Sequence, residues 1–259
     1  MVTDIIQKRG FFLIVVIFTG LLFLPSTSAS KTDQPFFPGE TLTYEIKWSG
    51  IPVGQGTLSV LPLQEDNDYD GYFFELRVNS NRFLDTFYKV RDKISSHTAL
   101  DLSRSYSYHK KQRGGRSKRD IVVVFDWENK QAAYSNFGRE RSPVDILPGT
   151  LDPLSVLYFV RLQDFDEIQE INVPVSDGKK CVIGKARIIK RENITVGSQD
   201  FDTYLLEPEI EEIGGVFEKA KDAKIRVWLT ADSRKVPVKV ESSVAIGSFT
   251  AELVSIQFH

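Results

Sequence analysis

Cysteine is almost missing from this 259-residue chain: Cys181 stands alone, with one methionine and three histidines. A single cysteine forms no intrachain disulfide, and with none near the N-terminal segment a thiol-linked lipid anchor is excluded. Beside Val182 and Ile183, Cys181 reads as an ordinary packed thiol. His97, His109 and His259 are scattered without ligand spacing, so no metal site is expected. The G-x-S-x-G elbow of serine hydrolases is absent, as are phosphate-cradling glycine loops and dinucleotide fingerprints, so no cofactor is expected. Charge of either sign is not in excess: the formal net charge is −2, which argues against a general nucleic-acid binder. Long apolar runs are also lacking beyond Phe11–Leu24, which is shorter than the roughly 20 residues a spanning helix needs.

That one run has the form of a signal peptide over residues 1–30. Lys8 and Arg9 form a basic start, Pro25 breaks the apolar stretch, and small residues allow cleavage after Ala29 or Ser30. Asp4 is unusual there and leaves an uncleaved anchor as the alternative. Residues 31–259 are expected to form a single β-rich domain exported to the periplasm, long enough to bury a core without disulfides.

Period-two alternation dominates that domain. In TLTYEIKW, Leu42, Tyr44, Ile46 and Trp48 share one face; in GYFFELRVNS, Tyr72, Phe74, Leu76 and Val78 do. Further strands are expected at 57–61, 87–94, 105–110, 120–127, 131–137, 170–175, 185–193, 202–210, 224–230, 235–243 and 248–258, separated by turns such as EDNDYDG, DWENK and SDGKK. One stretch, LDPLSVLYFVRLQ, departs from alternation. Asp152 suits an N-cap and Pro153 a first helical position, so a helix is expected over about 153–162, apolar nearly all round and therefore buried. The fold class that follows is all-β dominated: a large curved antiparallel sheet, an open or half barrel, wrapped around one buried helix.

Chemistry-bearing residues are few. Asp85 and Asp92 are the one carboxylate pair worth considering; alternation turns Asp92 inward, where Arg161 is the expected ion-pair partner. The run HKKQRGGRSKR is rich in cations and free of acids, with Gly114-Gly115 as a hairpin tip. Lys110, Lys111, Arg113, Arg116, Lys118 and Arg119 read either as a solvated edge protected from pairing or as a contact for an anionic membrane surface or acidic polymer, with Tyr106 and Tyr108 as interfacial neighbours. Gly54 and Gly56 sit on one face of a strand, where glycine packs nothing, so they mark a notch for the helix, a bend in the sheet or a ligand entry point.

The segments FFPGETLTYEIKWSGIPVGQGTLSV, FYKVRD, VVVFDWENK, DPLSVLYFVR and KIRVWLTADSRKVPVKVESSVAIGSFTAEL follow one another along nearly the whole domain. Together they resemble the bacterial secreted family called domain of unknown function number 3108. The resemblance implies an exported protein of Gram-negative-type bacteria and transfers no catalytic residue; the matching polar positions are Asp92, Asp126, Asp152, Arg161 and Asp232. The C-terminal pattern also looks like periplasmic lipoprotein-carrier proteins, whose curved sheet encloses a greasy cavity, a likeness of fold alone. The resulting expectation is a non-enzymatic periplasmic binding or carrier protein for an apolar or amphipathic cell-envelope molecule, with a lipid as ligand. The expected ligand-binding residues are Trp48, Gly54, Gly56, Tyr88, Asp92, Leu157, Tyr158, Arg161 and Trp228, among helix residues Leu154 and Phe159 and the inner-face Tyr44. An outer-membrane assembly factor acting through protein contacts, and a polysaccharide-acting enzyme, are the alternatives.

Overall fold

Alternation of apolar and polar residues builds a 15-stranded antiparallel sheet that curls on itself without closing its ladder. The computed structural model describes residues 34–62, 70–115, 117–209, 224–244 and 247–258. The expected signal peptide, the first residues of the EDNDYDG turn, Arg116 and His259 lie outside the described residues. The strands are β1 (Glu40–Trp48), β2 (Ile51–Val60), β3 (Gly71–Ser80), β4 (Arg91–Ala99), β5 (Ser105–Gly114), β6 (Ser117–Asp126), β7 (Gln131–Asn136), β8 (Arg139–Glu140), β9 (Val144–Asp145), β10 (Glu170–Ser176), β11 (Cys181–Val196), β12 (Gln199–Glu209), β13 (Lys224–Thr230), β14 (Pro237–Val244) and β15 (Gly247–Phe258). Two helices interrupt them, α1 (Arg82–Asp85) and α2 (Ser155–Arg161). Strand order runs β10-β11-β12-β13-β14-β15-β1-β2-β3-β4-β5-β6-β7-β8, with β9 paired to β7. The first and last long strands thus meet in the middle, as β1 pairs β15.

The ends of the sheet approach each other through the chain that leads into α2. Leu151 exchanges backbone hydrogen bonds with β10, while the Thr150 carbonyl accepts from Ser105 of β5. The β10–β11 turn lies against the inner face of β6 and β7: a Cβ on Gly178 would meet the Val123 side chain at 2.7 Å.

One main core draws on both halves of the chain, from Leu42, Phe74, Tyr108 and Val123 to Leu205, Trp228 and Val238. Its described members all lie within Asp33–His259. Helix α2 plugs one end of this core. The Tyr158 ring stacks on Phe74 with centroids 3.6 Å apart, and Phe36 meets both edge-on. Burial pushes the Tyr158 phenol well above its ordinary range, so it stays neutral. Tyr44 is raised for the same reason and donates its hydroxyl to the Pro237 carbonyl at 2.8 Å.

Helix α2 departs from expectation in two respects. It begins at Ser155, after a turn over Pro153 and Leu154, and it is not buried all round, since Leu157 is 39% exposed. Helix α1 was not foreseen: RFLD carries too short an apolar pattern to show helical period, and the structure turns residues 82–88 into a capped loop before β4.

Gly54 and Gly56 face inward, opposite Ile46 and Tyr44, but neither touches α2. Gly54 instead allows close backbone approach beside a bulge at Ile46/Lys47, because a Cβ there would lie 2.4 Å from the Asn79 carbonyl oxygen. The Gly56 Cβ would meet only Ile46 Cδ1, at 3.5 Å. Gly54→Ala is therefore expected to lose about 1–3 kcal/mol in urea unfolding, and Gly56→Ala to stay within about 0.5 kcal/mol of the parent. Equal losses would show that the bend does not single out Gly54.

Candidate functional site

On β1, on β3 as far as Val78 and on β4, exposure along the inner face rises away from α2, whereas on β15 Ile256, in register with Leu42, is itself 37% exposed. On β1, Leu42 and Tyr44 are buried, Ile46 is half-buried and Trp48 is 39% exposed. On β3, Tyr72 and Phe74 give way to half-buried Leu76 and Val78; on β4, Ile94, Ser96 and Thr98 give way to half-buried Asp92. Directly across from β1, Leu253 and Ala251 are half-buried and Phe249 is exposed. Side chains opposite each other in register share a face. Along β1, β3 and β4 the sheet is thus filled beside α2 and more open at the other end, where its inner wall is lined by Ile46, Trp48, Gly54, Val78 and Phe249, with Asp92 as a polar group.

At that open end, Asp92 accepts from Gln112 Nε2 at 3.1 Å and from the Arg113 backbone N–H at 3.0 Å, so it ties β4 to β5. Its expected pairing with Arg161 does not occur. Arg161 lies at the opposite end, fully buried, where Nη1 donates to Glu40 Oε1 at 2.6 Å and Nη2 to the Pro35 carbonyl at 2.6 Å. Asp85, the other carboxylate of the pair, is engaged by Arg91 and Ser80, and hydrogen bonds from those groups hold its pKa below the usual range. The Tyr88 ring lies over Gly114-Gly115 at the β5–β6 tip, where a Cβ on Gly115 would come within 2.6 Å of it.

Of the residues expected to bind a ligand, Trp48, Gly54, Gly56, Tyr88 and Asp92 come together at or near the open end. Tyr158 and Arg161 pack the filled end, and Leu157 faces outward from α2. Trp228 is a buried wall residue whose Nε1–H donates to Glu192. The sequence reading missed Phe249 and Ile46 as lining groups, although the alternation of β1 and β15 marks both.

The basic hairpin exists as expected, with Gly114 paired to Ser117, but its cations do not all reach solvent. Lys111, Arg113 and Lys118 are exposed, whereas Arg119 is half-buried and Lys110 is only 2% exposed. Lys110 alternates with Tyr108 on the inner face, so it is part of the interior and not of an anion-binding surface. Tyr108 is buried likewise and no interfacial aromatic. Among the described residues no group of histidine, cysteine and carboxylate side chains could hold a metal, and no helix is long and apolar enough to cross a membrane.

A comparison with curated protein sequences finds no match. By fold, the chain is similar to a β-barrel-like protein of domain of unknown function DUF1849 from Brucella abortus, with TM-score 0.55 and 9% identity over 85% of this chain and 97% of that one. A Bacteroides fragilis protein with a YmcC-like fold aligns over 86% of this chain and 97% of its own, at TM-score 0.35 and 8% identity. The DUF1849 likeness concerns fold alone, and the second is too slight to add to it. The sequence itself matches the protein family of unknown function DUF3108 over residues 43–254, so the chain belongs to the DUF3108 family.

Proposed function

We infer that the chain is a non-enzymatic binding or carrier protein, exported to the periplasm, that holds the apolar part of an amphipathic cell-envelope molecule in the open end of its sheet. The observation behind this reading is the rise in exposure along the inner faces of β1, β3 as far as Val78, and β4, from a close-packed aromatic plug to a mouth lined by Ile46, Trp48, Val78 and Phe249. A water-facing concave apolar surface of this kind is where ligands with an acyl or similar chain gain most from burial. The polysaccharide-enzyme alternative has less support, because Asp85 and Asp92 are each engaged by separate partners.

Native mass spectrometry of the protein purified from periplasm tests this directly. A reproducible added mass that extracts into organic solvent as lipid is the expected result. Val78→Gln, which places an amide on the half-buried inner face, is expected to reduce occupancy at least several-fold without loss of folding. A bare mass for the parent protein, with no uptake of added fatty acid or phospholipid, overturns the reading.

A further inference from the structure

The antiparallel register brings four connections to one rim. In sheet order they are the start of β15, the β1–β2 turn, the α1 segment between β3 and β4, and the tip of the β5–β6 hairpin. This rim displays large apolar side chains that the fold leaves uncovered: Phe83 is 59% exposed, Phe87 75% and Ile51 53%, with Trp48 and Phe249 beside them. Phe83 and Phe87 meet edge-to-face with centroids 5.8 Å apart.

The display is rigidly built. Asn81 Oδ1 accepts the Leu84 N–H at 2.9 Å and its Nδ2 donates to the Pro52 carbonyl at 2.8 Å, which fixes α1 to β2. Arg91 Nη2 donates to Asp85 at 2.6 Å and closes the loop from the other side. Phenylalanines held this firmly in water gain nothing for the fold, and their exposure points to a partner.

Charge identifies the partner. Arg82, Lys89, Arg113 and Lys118 are exposed on the same rim, and among the described residues Arg82, Arg113 and Lys118 have no ion-pair partner. The nearby carboxylates are already engaged: Asp85 by Arg91, Asp92 by Gln112 and Arg113, and Asp120 by His109 and Lys111. Uncompensated cations interleaved with exposed aromatics match a bilayer interface, where phosphates meet the former and acyl chains the latter. We propose that this rim docks the protein onto an anionic phospholipid bilayer, with Phe83 and Phe87 entering the head-group region and the mouth of the sheet turned toward the lipid. Docking requires no ligand in the mouth, so it stands or falls separately from the carrier reading.

The test is flotation of the protein purified from periplasm with vesicles of phosphatidylcholine alone or with about 30% phosphatidylglycerol. Binding is expected to the anionic vesicles and to fall several-fold at about 0.5 M salt. Arg113→Glu with Lys118→Glu is expected to weaken it by at least a factor on the order of 25, taking roughly fivefold for each cation lost before any repulsion by the new carboxylates, and Phe87→Ser on the order of tenfold. Val124→Ser, at an apolar residue exposed on β6 away from the rim, is expected to change nothing. Failure of the parent to bind anionic vesicles overturns the proposal, as does parental binding by the charge-reversed variant. Loss on charge reversal with no effect of Phe87→Ser also overturns it, since that pattern describes a general polyanion contact.

Discussion

Arg161→Met is expected to cost about 3–5 kcal/mol of unfolding free energy, measured in urea near neutral pH. The guanidinium is fully buried and spends its donors on three separate parts of the chain: Glu40 at the start of β1, the Pro35 carbonyl, and the Arg234 carbonyl in the β13–β14 turn at 3.2 Å from Nε. It also lies over the rings of Phe36 and Tyr158, 5.2 and 5.7 Å from their centroids. Methionine fills comparable volume but leaves Glu40 buried with Arg234 alone, at 2.9 Å. A buried carboxylate that has lost its buried partner and keeps only the half-exposed Arg234 is the expensive outcome, more than loss of the attraction itself. Arg161→Lys keeps the charge and loses the fork, so a smaller cost of about 2 kcal/mol is expected. Removing both partners, as Glu40→Met with Arg161→Met, should recover part of the loss. A double-mutant cycle in which the two single losses simply add would show that the pair is not coupled.

That pair also shows how much of the molecule was legible beforehand. Most strand positions were, because period-two alternation is written into β1, β3, β6, β7 and β13, and those strands follow it; the strand expected over 87–94 instead runs Arg91–Ala99, after the α1 segment. The curved sheet around one helix followed from the number of strands and the single break in their rhythm. The ion pair was misassigned because Asp92 was placed on the correct face without regard to its height along the strand. It lies at the open end, and Arg161 at the other. Glu40 was in phase with Leu42 and Tyr44, so the alternation marked it as inward, but a charged residue at a strand's first position reads as surface. Lys110 was misread in the same manner: composition placed it in a basic patch, while its phase with Tyr108 placed it inside. The open end itself was not legible, since it is set by which strand positions α2 leaves uncovered, and that depends on contacts far apart in sequence.

The second large effect belongs to Asp152, and it separates the packed end of the molecule from the rim proposed to dock. This carboxylate is wholly buried, and the described cations do not pair with it; hydroxyls and amides satisfy it instead. Its Oδ2 accepts from Ser96 of β4 at 2.5 Å, Ser105 of β5 at 2.6 Å and Ser155 of α2 at 2.5 Å. Its Oδ1 accepts the backbone N–H groups of Leu154 and Ser155, at 2.8 and 3.1 Å, and so does the work of a helix cap from one turn earlier. Asp152→Ala strands all five donors in the interior. Even with the serines partly re-pairing among themselves, as the 2.6 Å Ser96–Ser155 contact allows, a loss of about 4 kcal/mol is expected in urea unfolding. Asp152→Asn keeps the acceptor for the two N–H groups and turns the serines to new partners, so roughly half that loss is expected. Backbone amides of α2 should exchange faster in both variants, because the helix start is then held only by packing. The rim that carries Phe87 and Arg113 lies at the far end of the strands from this cluster. Below its melting temperature, Asp152→Ala is therefore expected to bind anionic vesicles as the parent does. Loss of vesicle binding in a folded Asp152→Ala protein would mean that the two ends are coupled through β4 and β5, and that the carboxylate cluster positions the rim as well as the helix.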